Sequence, residues 1–285
     1  MKILAATDGS KYGQWAVEWP AQLPFTVKPT LRVLHVVDVA GLRAPFMIQP
    51  LIAGTERYLQ AEVKRLEVSA KAAKKAAELL LKESGLSGTV VVDRGGVAAT
   101  IMKHAARGVN VLSIGSRGLD ALDRFMLGSV SNYALHHASC SVLVVKEAPR
   151  PVRRVLLAVD GSSASDKAVR FLLRNVNPIP DGSDHEPVLV TVAHVMPFLK
   201  YPELRQAGTL LVQRYGDKAA KAGFQVREAM RLGKPADEIL TEAKQQKVDM
   251  IITGAKGLGA IGRALLGSVS TRLVQHAACS VLVVR

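Results

Sequence analysis

Glycines and serines recur at one fixed spacing in two places in this sequence, and that spacing suits the binding of phosphate groups. The first set is Gly115, Gly118, Gly128 and Ser129, and the second is Gly254, Gly257, Gly267 and Ser268. Glycine lets backbone N–H groups approach phosphate oxygens, and a Gly-Ser pair that opens a helix adds the helix dipole, which favours anions. One such set would be weak evidence, since tight strand-to-helix turns use glycine anyway, but two sets predict two anion sites.

Further residues in and after the two glycine loops could contact an anion. Hydroxyl donors are expected from Ser129, Ser131, Ser268 and Ser270. Positive charges that could neutralise phosphates, or could equally be ordinary surface charge, are Arg117, Arg124, Lys256 and Arg263. The neighbouring Val130 and Val269 are expected to line the same sites.

An aspartate follows the first apolar run of each half of the chain. Asp8 lies in KILAATDGS and Asp160 in RVLLAVDGS. At the carboxyl end of a central strand a carboxylate can accept hydrogen bonds from ribose hydroxyls, although a plain Asp-Gly turn is the alternative. The residues just before each aspartate, expected beside the ligand, are Ala6, Thr7, Ala158 and Val159.

A second strand in each half ends in a matching motif, HVVD at His35 and HVMP at His194. Backbone groups of Val36 and Val195 could therefore face the edge of a base. The two histidines are expected to be packing residues and not ligands or acids.

Several enzyme classes do not fit these motifs. Neither loop ends in Gly-Lys-Ser/Thr, no G-x-G-x-x-G follows the first strand, and TDGSKYG and VDGSSAS lack the SGGxDS pattern of pyrophosphate-releasing ATP enzymes. The sequence shows no paired carboxylates, metal-ligand grouping or nucleophile with a base beside it. Slow ATP hydrolysis or nucleotidyl transfer with Mg²⁺ stays open, because Asp8 or Asp160 could recruit a metal ion and a water.

The chain repeats itself, and the repeat predicts its architecture. The 32 residues from Gly115 align without gaps on those from Gly254, with 18 identical positions. Between the aspartate and the glycine loop the first half is longer by 13 residues, which we place as a loop at 41–55. We therefore predict two domains, 1–146 and 153–285, joined by the linker EAPRPV.

Apolar runs and amphipathic runs alternate within each half, which predicts parallel sheets covered by helices. Strands are predicted at 3–7, 31–37, 90–93, 109–114 and 142–145, then near 155 and at 188–195, 224–230, 250–253 and 281–284. Helices of the first half are predicted at 10–23, 56–83, 97–106 and 129–137. Both halves end in the apolar strand SVLVV, whose open edge is expected to pair with its counterpart or with another chain.

Composition agrees with two cytoplasmic α/β domains. The 285 residues are 48% hydrophobic but only 5% aromatic, which is typical of aliphatic cores around buried parallel sheets. The N-terminus lacks a signal pattern, and both Cys140 and Cys279 fit small core positions. The net charge of +14 is spread evenly, with 18 Lys and Arg against 11 Asp and Glu in residues 1–146 and 19 against 12 in residues 153–285. Such spreading makes a dedicated nucleic-acid face the weaker alternative.

These motifs resemble the universal stress proteins, over nearly all of both halves. The ATP-binding members of that family share the spacing G-x2-G-x9-G-S/T, present here twice. The resemblance implies two tandem Rossmann-like (HUP-type) domains, each a five-stranded parallel sheet in the order 3-2-1-4-5 with helices on both faces. It also implies that last strands pair across a dimer, here between the halves of one chain. Departures are GGVAATIM, which lacks the proline of GKPADEIL, and Ser141 and Ser280, where a proline is common.

By the same resemblance, Asp8 and Asp160 would contact ribose, Val36 and Val195 the adenine, and the glycine loops the phosphates. We therefore expect an ATP-binding protein, with Mg²⁺ as an optional companion, that acts as a nucleotide-dependent stress-response regulator or sensor. Slow ATPase activity is the first alternative, and a nucleic-acid or protein-binding module is the second. A monomer with an internal pseudo-dimer is expected, with a homodimer as the alternative.

Overall fold

A single ten-stranded sheet runs through the protein. The computed structural model describes residues 1–39, 55–118, 127–179, 187–196, 202–257 and 266–285. None of the helices in these ranges has the length and hydropathy to span a bilayer. Of the predicted loop at 41–55, residues 41–54 lie outside the described residues, as do Arg124 and Arg263, whereas Thr55 is already helical.

The first half forms its elements close to where the hydrophobic pattern predicts them. They are β1 (Lys2–Thr7), α1 (Lys11–Glu18), a 3₁₀ turn (Trp19–Gln22), β2 (Thr30–Val37), α2 (Thr55–Glu83), β3 (Gly88–Arg94), α3 (Val97–Ala105), β4 (Val111–Gly115), α4 (Ser129–His137) and β5 (Ser141–Val145). Ser10 caps α1, because its hydroxyl accepts a hydrogen bond from the N–H of Gly13 at 3.1 Å.

The second half repeats this order. Its elements are β6 (Arg154–Ala158), α5 (Ser163–Asn175), β7 (Leu189–Met196), α6 (Pro202–Lys221), β8 (Gln225–Leu232), α7 (Pro235–Gln245), β9 (Met250–Gly254), α8 (Ser268–His276) and β10 (Ser280–Val284). Ser162 caps α5 in the same way, accepting from the N–H of Ser165 at 3.2 Å.

Each half arranges its strands in parallel in the order 3-2-1-4-5, as the resemblance implies. The complete order is β3-β2-β1-β4-β5-β10-β9-β6-β7-β8. In the first half Ile3 of β1 pairs with Leu31 of β2 on one side and with Val111 of β4 on the other. The strand order reverses between β1 and β4, and in such sheets ligands bind beyond the carboxyl ends of these strands.

The core forms two apolar layers, one on each face of the sheet. Alternate strand residues enter opposite layers: Ile3 and Ala5 belong to the layer that α1, α2, α5 and α6 cover, while Leu4 and Ala6 belong to the layer that α3, α4, α7 and α8 cover. Each layer contains residues of both halves, so the two repeats share their cores. Cys140 and Cys279 are buried with free thiols, and burial raises the pKa of Cys279 to about 12.

The halves join through their last strands, as the apolar edges predict. β5 and β10 pair antiparallel, with Leu143 opposite Leu282. The side chain of the residue that follows each of these two strands then contacts the other half. The ammonium group of Lys146 donates to the carbonyls of Gln275 (3.1 Å) and Ala277 (2.7 Å) at the end of α8. The guanidinium of Arg285 donates to a carbonyl of α4 in return. Cations at helix C-termini satisfy free carbonyls and oppose the helix dipole.

Ser141 and Ser280, which stand where a proline is common, add a second reciprocal contact at this junction. The hydroxyl of Ser280 accepts from the N–H of Lys146 at 3.3 Å, and the hydroxyl of Ser141 accepts from the N–H of Arg285 at 3.3 Å. The two serines therefore contribute to the interface between halves. Burial lowers the pKa of Lys146 to about 8, and the nearby charge of Arg117 acts in the same direction.

Candidate functional site

A cavity of about 620 Å³ opens at the carboxyl ends of β1, β2 and β4, where the strand order reverses. Its size is within the range of about 300–1,000 Å³ found for ligand pockets. Apart from Arg124, which lies outside the described residues, every first-half residue that the sequence predicts for the site lines it: Ala6, Thr7, Asp8, Val36, Gly115, Arg117, Gly118, Gly128, Ser129, Val130 and Ser131. The structure therefore brings the motif residues of the first half together around one space.

Asp8 lies at the end of β1, half-buried, and has a structural role as well as a position in the cavity. Its Oδ1 accepts a hydrogen bond from the N–H of Ser10 at 2.9 Å, which closes the Asp-Gly turn before α1. Asp8 can therefore close the turn before α1 and still present its carboxylate to the cavity.

At the first two glycines of the loop, Gly115 and Gly118, other atoms of the protein lie where a side chain would begin. A Cβ on Gly115 would lie 2.7 Å from the carbonyl oxygen of Tyr12, so a side chain there would push α1 off β4. A Cβ on Gly118 would lie 2.6 Å from Oδ2 of Asp8. A side chain at the second glycine of the motif would therefore force the aspartate carboxylate to move.

Gly128 differs from these two glycines, because the protein leaves room for a side chain there. A Cβ would lie 3.5 Å from Cα of Arg117 and from the carbonyl oxygen of Ser116, which is ordinary van der Waals contact. The backbone φ is −59°, a conformation that any residue adopts. Nothing in the described structure requires glycine at this position, which borders the cavity at the N-terminus of α4. Because Gly128 has no side chain, the backbone at the start of α4 stays accessible from the cavity.

The serines after this glycine divide into two kinds. Ser129 is exposed at the first position of α4. The buried Ser131 donates its hydroxyl hydrogen to the carbonyl of Gly115 at 2.6 Å. Its counterpart Ser270 donates to the carbonyl of Gly254 at 2.7 Å. The first turn of each helix thus directs both hydroxyls inward, where they tie the helix to its strand, and a contact of Ser131 or Ser270 with a ligand stays a prediction.

Arg117 supplies a positive charge at the wall of the cavity. Its Nη1 donates to the hydroxyl of Tyr12 at 3.0 Å, and the guanidinium lies 5.4 Å from the centre of the Tyr12 ring. Its Nε is buried and has no hydrogen-bond partner within the described residues. A buried N–H without an acceptor is costly, and an anionic ligand in this cavity could provide one.

Val36 lies on β2 one residue past the last pair that β2 makes with β1. β1 pairs with β2 only as far as Thr7 opposite His35. The carbonyl of Val37 accepts from the N–H of Gly95 on the β3 side at 3.1 Å. Successive residues of a strand point their backbone groups to opposite neighbours, so the N–H and carbonyl of Val36 face the region beyond the end of β1. The Nδ1 of His35 contacts the carbonyl of Thr7 at 3.0 Å, as expected for a packing residue.

A buried histidine supports the helix that forms the floor of the cavity. Nε2 of His104 on α3 lies 2.9 Å from Oδ2 of Asp93 on β3, and this hydrogen bond lowers the pKa of Asp93. At the matching positions of the second half, Arg231 on β8 donates to Glu242 on α7 at 2.6 Å. The repeats thus keep one strand-to-helix polar contact, with the carboxylate on the strand in the first half and on the helix in the second.

The second half builds a similar arrangement around Asp160. A Cβ on Gly257 would lie 2.5 Å from Oδ2 of Asp160, and a Cβ on Gly254 would lie 2.6 Å from the backbone of Ala164. Oδ1 of Asp160 accepts from the hydroxyl of Ser165 at 2.6 Å and from the N–H of Ser162 at 3.0 Å. The remaining predicted residues of this half adjoin the same strand ends: Ala158, Val159, Val195, Lys256, Gly267, Ser268, Val269 and Ser270.

The second arrangement is more closed than the first. Val195 is buried, whereas its counterpart Val36 is half-buried. Gly208 of α6 packs tightly against the end of β7, where a Cβ would lie 2.6 Å from Sδ of Met196. The carbonyl of Met196 accepts a hydrogen bond from the N–H of Gly233, just as the carbonyl of Val37 accepts one from the N–H of Gly95 in the first half. The backbone of Val195 therefore faces the region beyond β6, as Val36 faces the region beyond β1.

Sequence reasoning missed several residues of the first cavity. They are apolar or small residues, most of them on helices that carry none of the predicted residues: Gly13, Leu34, Leu66, Ser69, Val97, Ile101 and Ile114. A Cβ on Gly13 would lie 2.6 Å from Oδ1 of Asp8, and this glycine in the first turn of a helix was a signal available in the sequence. Leu66 and Ser69, three residues apart on α2, carried no such signal.

The profile of the Universal stress protein family matches residues 1–146 and again residues 151–285. The chain belongs to the universal stress protein family. The predicted tandem arrangement of two such domains is confirmed, and the ten-stranded sheet is the way in which this universal stress protein joins them.

Comparisons with single proteins extend along the whole universal stress protein chain. A universal stress protein of Mycolicibacterium smegmatis is 30% identical and aligns with 99% of this chain and 96% of its own length. A universal stress protein of Synechocystis is 24% identical over 99% of both chains. The crystal structure of a universal stress protein from Archaeoglobus fulgidus superimposes with a TM-score of 0.67 over 100% of this chain and 98% of that chain, at 19% identity. That likeness supports the fold.

Proposed function

We propose that this universal stress protein binds an adenine nucleotide, ATP, in each half and acts as a nucleotide-dependent stress-response regulator or sensor. The observation that carries the proposal is the meeting of three features in one cavity. These features are the carboxylate of Asp8, the backbone of Val36 and the helix N-terminus at Gly128, where the protein has room for a side chain.

Each feature matches one part of a nucleotide. The backbone N–H and carbonyl of Val36 would read the polar edge of adenine, and Asp8 would accept hydrogen bonds from ribose hydroxyls. The N–H groups at the start of α4, the exposed Ser129 hydroxyl and the Arg117 guanidinium would hold the phosphates. The buried and unpartnered Nε of Arg117, together with the open space at Gly128, fits a phosphate chain at this point. Bound Mg²⁺ would add charge neutralisation to the phosphates.

The two sites are expected to differ in affinity. The counterpart residues Asp160, Gly267 and Ser268 supply the same chemistry in the second half. Closer packing around Val195 leaves less room for a ligand there. The hydrogen bond from Ser165 also restricts the carboxylate of Asp160. We therefore expect nucleotide to enter the first site more easily.

Titration of nucleotide-free protein with ATP in a calorimeter tests the proposal. Gly128→Val is expected to remove binding at the first site and Gly267→Val at the second, with little change in thermal unfolding for Gly128→Val, because its Cβ meets only ordinary contacts. GTP serves as the control ligand for recognition of adenine. Wild-type protein that takes up no ATP would refute the proposal.

Slow Mg²⁺-dependent ATP hydrolysis is the alternative, and it depends on the carboxylates beside the glycine loops. Phosphate release measured with Asp8→Asn, Asp160→Asn and the double variant distinguishes it from binding alone. Turnover that persists unchanged in the double variant would count against this alternative.

Three expectations from the sequence remain part of the proposal. The domains are taken as 1–146 and 153–285, the location as cytoplasmic, and the working unit as one chain with its internal pseudo-dimer. Antiparallel pairing of β5 with β10 supports the last of these, because it gives the chain both halves of the pair.

A further inference from the structure

A basic groove of about 440 Å³ lies between the amino ends of β1, β4 and β5 and the helix α5. Four cationic side chains line it: Lys167, Arg170, Arg174 and Arg285. Phe171, Asn110 and Ser141 form other parts of its wall. This groove is separate from the cavity at the glycine loops, with which it shares no lining residue.

The cations of the basic groove lack negative partners. Lys167, Arg170 and Arg174 are exposed and, at spacings of three and four residues, lie on one face of α5. Within the described residues none of these three side chains takes part in a hydrogen bond or ion pair. Nε of Arg285 is buried and has no acceptor among the described residues. Several uncompensated guanidinium groups around one groove favour an anionic occupant.

The pseudo-twofold axis relates this groove to a second one, and there the chain itself is the occupant. Asn110 accepts from the N–H of Lys2 at 2.7 Å, as Asp249 accepts from the N–H of Arg154 at 2.7 Å. The two grooves are thus equivalent parts of the repeat. Aligning α1 with α5 from their capping serines places Trp19 at the position of Phe171.

The linker between the halves lies against the end of α1 at that second position. The indole N–H of Trp19 donates to the carbonyl of Glu147 at 3.2 Å, and the N–H of Val152 donates to the carbonyl of Gln22 at 3.1 Å. Val152 is buried, and Trp19 is 0% exposed beneath the linker. Phe171, by contrast, is only half-buried, so part of its ring is left open to a further apolar contact.

We propose that the basic groove binds an extended acidic peptide segment of a partner protein. Its carboxylates pair with Lys167, Arg170 and Arg174, and an aliphatic residue covers Phe171, as Val152 and its neighbours cover Trp19. A compact polyphosphate would use the cations but not the aromatic ring. The proposal does not depend on nucleotide binding.

Fluorescence anisotropy with the full chain tests this proposal. The probe is fluorescein-labelled Glu-Glu-Pro-Glu-Pro-Val, the linker sequence with glutamate in place of Ala148 and Arg150. At low salt we expect saturable binding that weakens about tenfold in Arg170→Glu/Arg174→Glu, because two attractions become repulsions. The matched control Lys71→Glu/Lys75→Glu makes the same charge change at the same spacing on the exposed face of α2 and should bind as wild type.

Two further comparisons separate the peptide from other anions. Phe171→Leu, chosen to preserve packing and checked by thermal unfolding, should weaken the peptide while leaving any binding of tripolyphosphate unchanged. The peptide Lys-Lys-Pro-Lys-Pro-Val should not bind. No saturable binding of the acidic peptide up to about 1 mM, equal binding by the Arg170→Glu/Arg174→Glu variant, or binding of tripolyphosphate without the peptide would each overturn the proposal.

Discussion

Replacement of Gly118 by alanine tests whether this glycine exists to admit the carboxylate of Asp8. The added Cβ would lie 2.6 Å from Oδ2 of Asp8, well inside the contact distance of about 3.5 Å at which atoms pack favourably. Gly118 is not among the glycines with positive φ, so alanine meets no backbone strain. The steric conflict with Asp8 is therefore the whole predicted effect.

The size of that effect follows from what Asp8 must give up. Turning its side chain away from a staggered rotamer costs roughly 0.5–1.5 kcal/mol. Loss of the 2.9 Å hydrogen bond from the N–H of Ser10 adds about 1 kcal/mol. Gly118→Ala should thus lower the free energy of unfolding by about 2 kcal/mol. Gly128→Ala, whose Cβ finds its neighbours at 3.5 Å, should change it by less than about 0.5 kcal/mol.

Urea denaturation of nucleotide-free protein measures both changes, and a double-mutant cycle identifies the cause. In an Asp8→Ala background the oxygen that collides with the new Cβ is absent, so Gly118→Ala should cost less than about 0.5 kcal/mol. An equal loss in both backgrounds would show that the close approach of Asp8 is not the reason for this glycine.

Three further predictions concern the junction, the strand-to-helix ion pair and the second site. Burial lowers the pKa of Lys146 from 10.5 to about 8, so the unfolded state binds more protons than the folded state between these values. In urea titrations the free energy of unfolding of wild type should therefore rise relative to that of Lys146→Met, by roughly 1–3 kcal/mol between pH 8 and pH 10. A constant difference between the two proteins would contradict the shift. Arg231→Met leaves the buried Glu242 without its partner and should lower the free energy of unfolding by about 3 kcal/mol. The double variant Arg231→Met/Glu242→Leu should restore most of this loss in thermal unfolding. A double variant as unstable as the single one would count against this pairing. Ser165→Ala removes the hydroxyl that donates to Asp160 and should change the affinity for ATP at the second site alone, as measured by calorimetry. A change in affinity at the first site would contradict this prediction.

Much of the fold could be predicted from the repeat and from hydrophobic periodicity. The helix at 129–137 begins and ends where the pattern places it. The first helix was predicted to run from 10 to 23, but α1 ends at Glu18 and a 3₁₀ turn follows. Pro20 explains the difference, because it lacks the N–H that an α-helix needs and its ring crowds the preceding turn. β3 is longer than its apolar run because it lies at the edge of the sheet, where exposed residues also pair.

The candidate site was predictable where chemistry repeats in the sequence and not where packing decides. Fixed spacing identified the glycine loops and both aspartates. The orientation of Ser131 and the approach of Leu66 depend on how α4 and α2 sit on the sheet, which local patterns do not encode. The different reasons for glycine at Gly118 and Gly128 likewise appear only when the neighbours of each missing Cβ are known.

The measurement that tests the central proposal most directly is a count of the nucleotide released when freshly purified protein is denatured. Wild type should release about two adenine nucleotides per chain, one for each glycine loop, with ATP as the main species. Gly128→Val and Gly267→Val should each release one, and the double variant none. Wild type that releases no nucleotide and takes up none when ATP is added would contradict the account and leave the glycine loops as features of the fold alone.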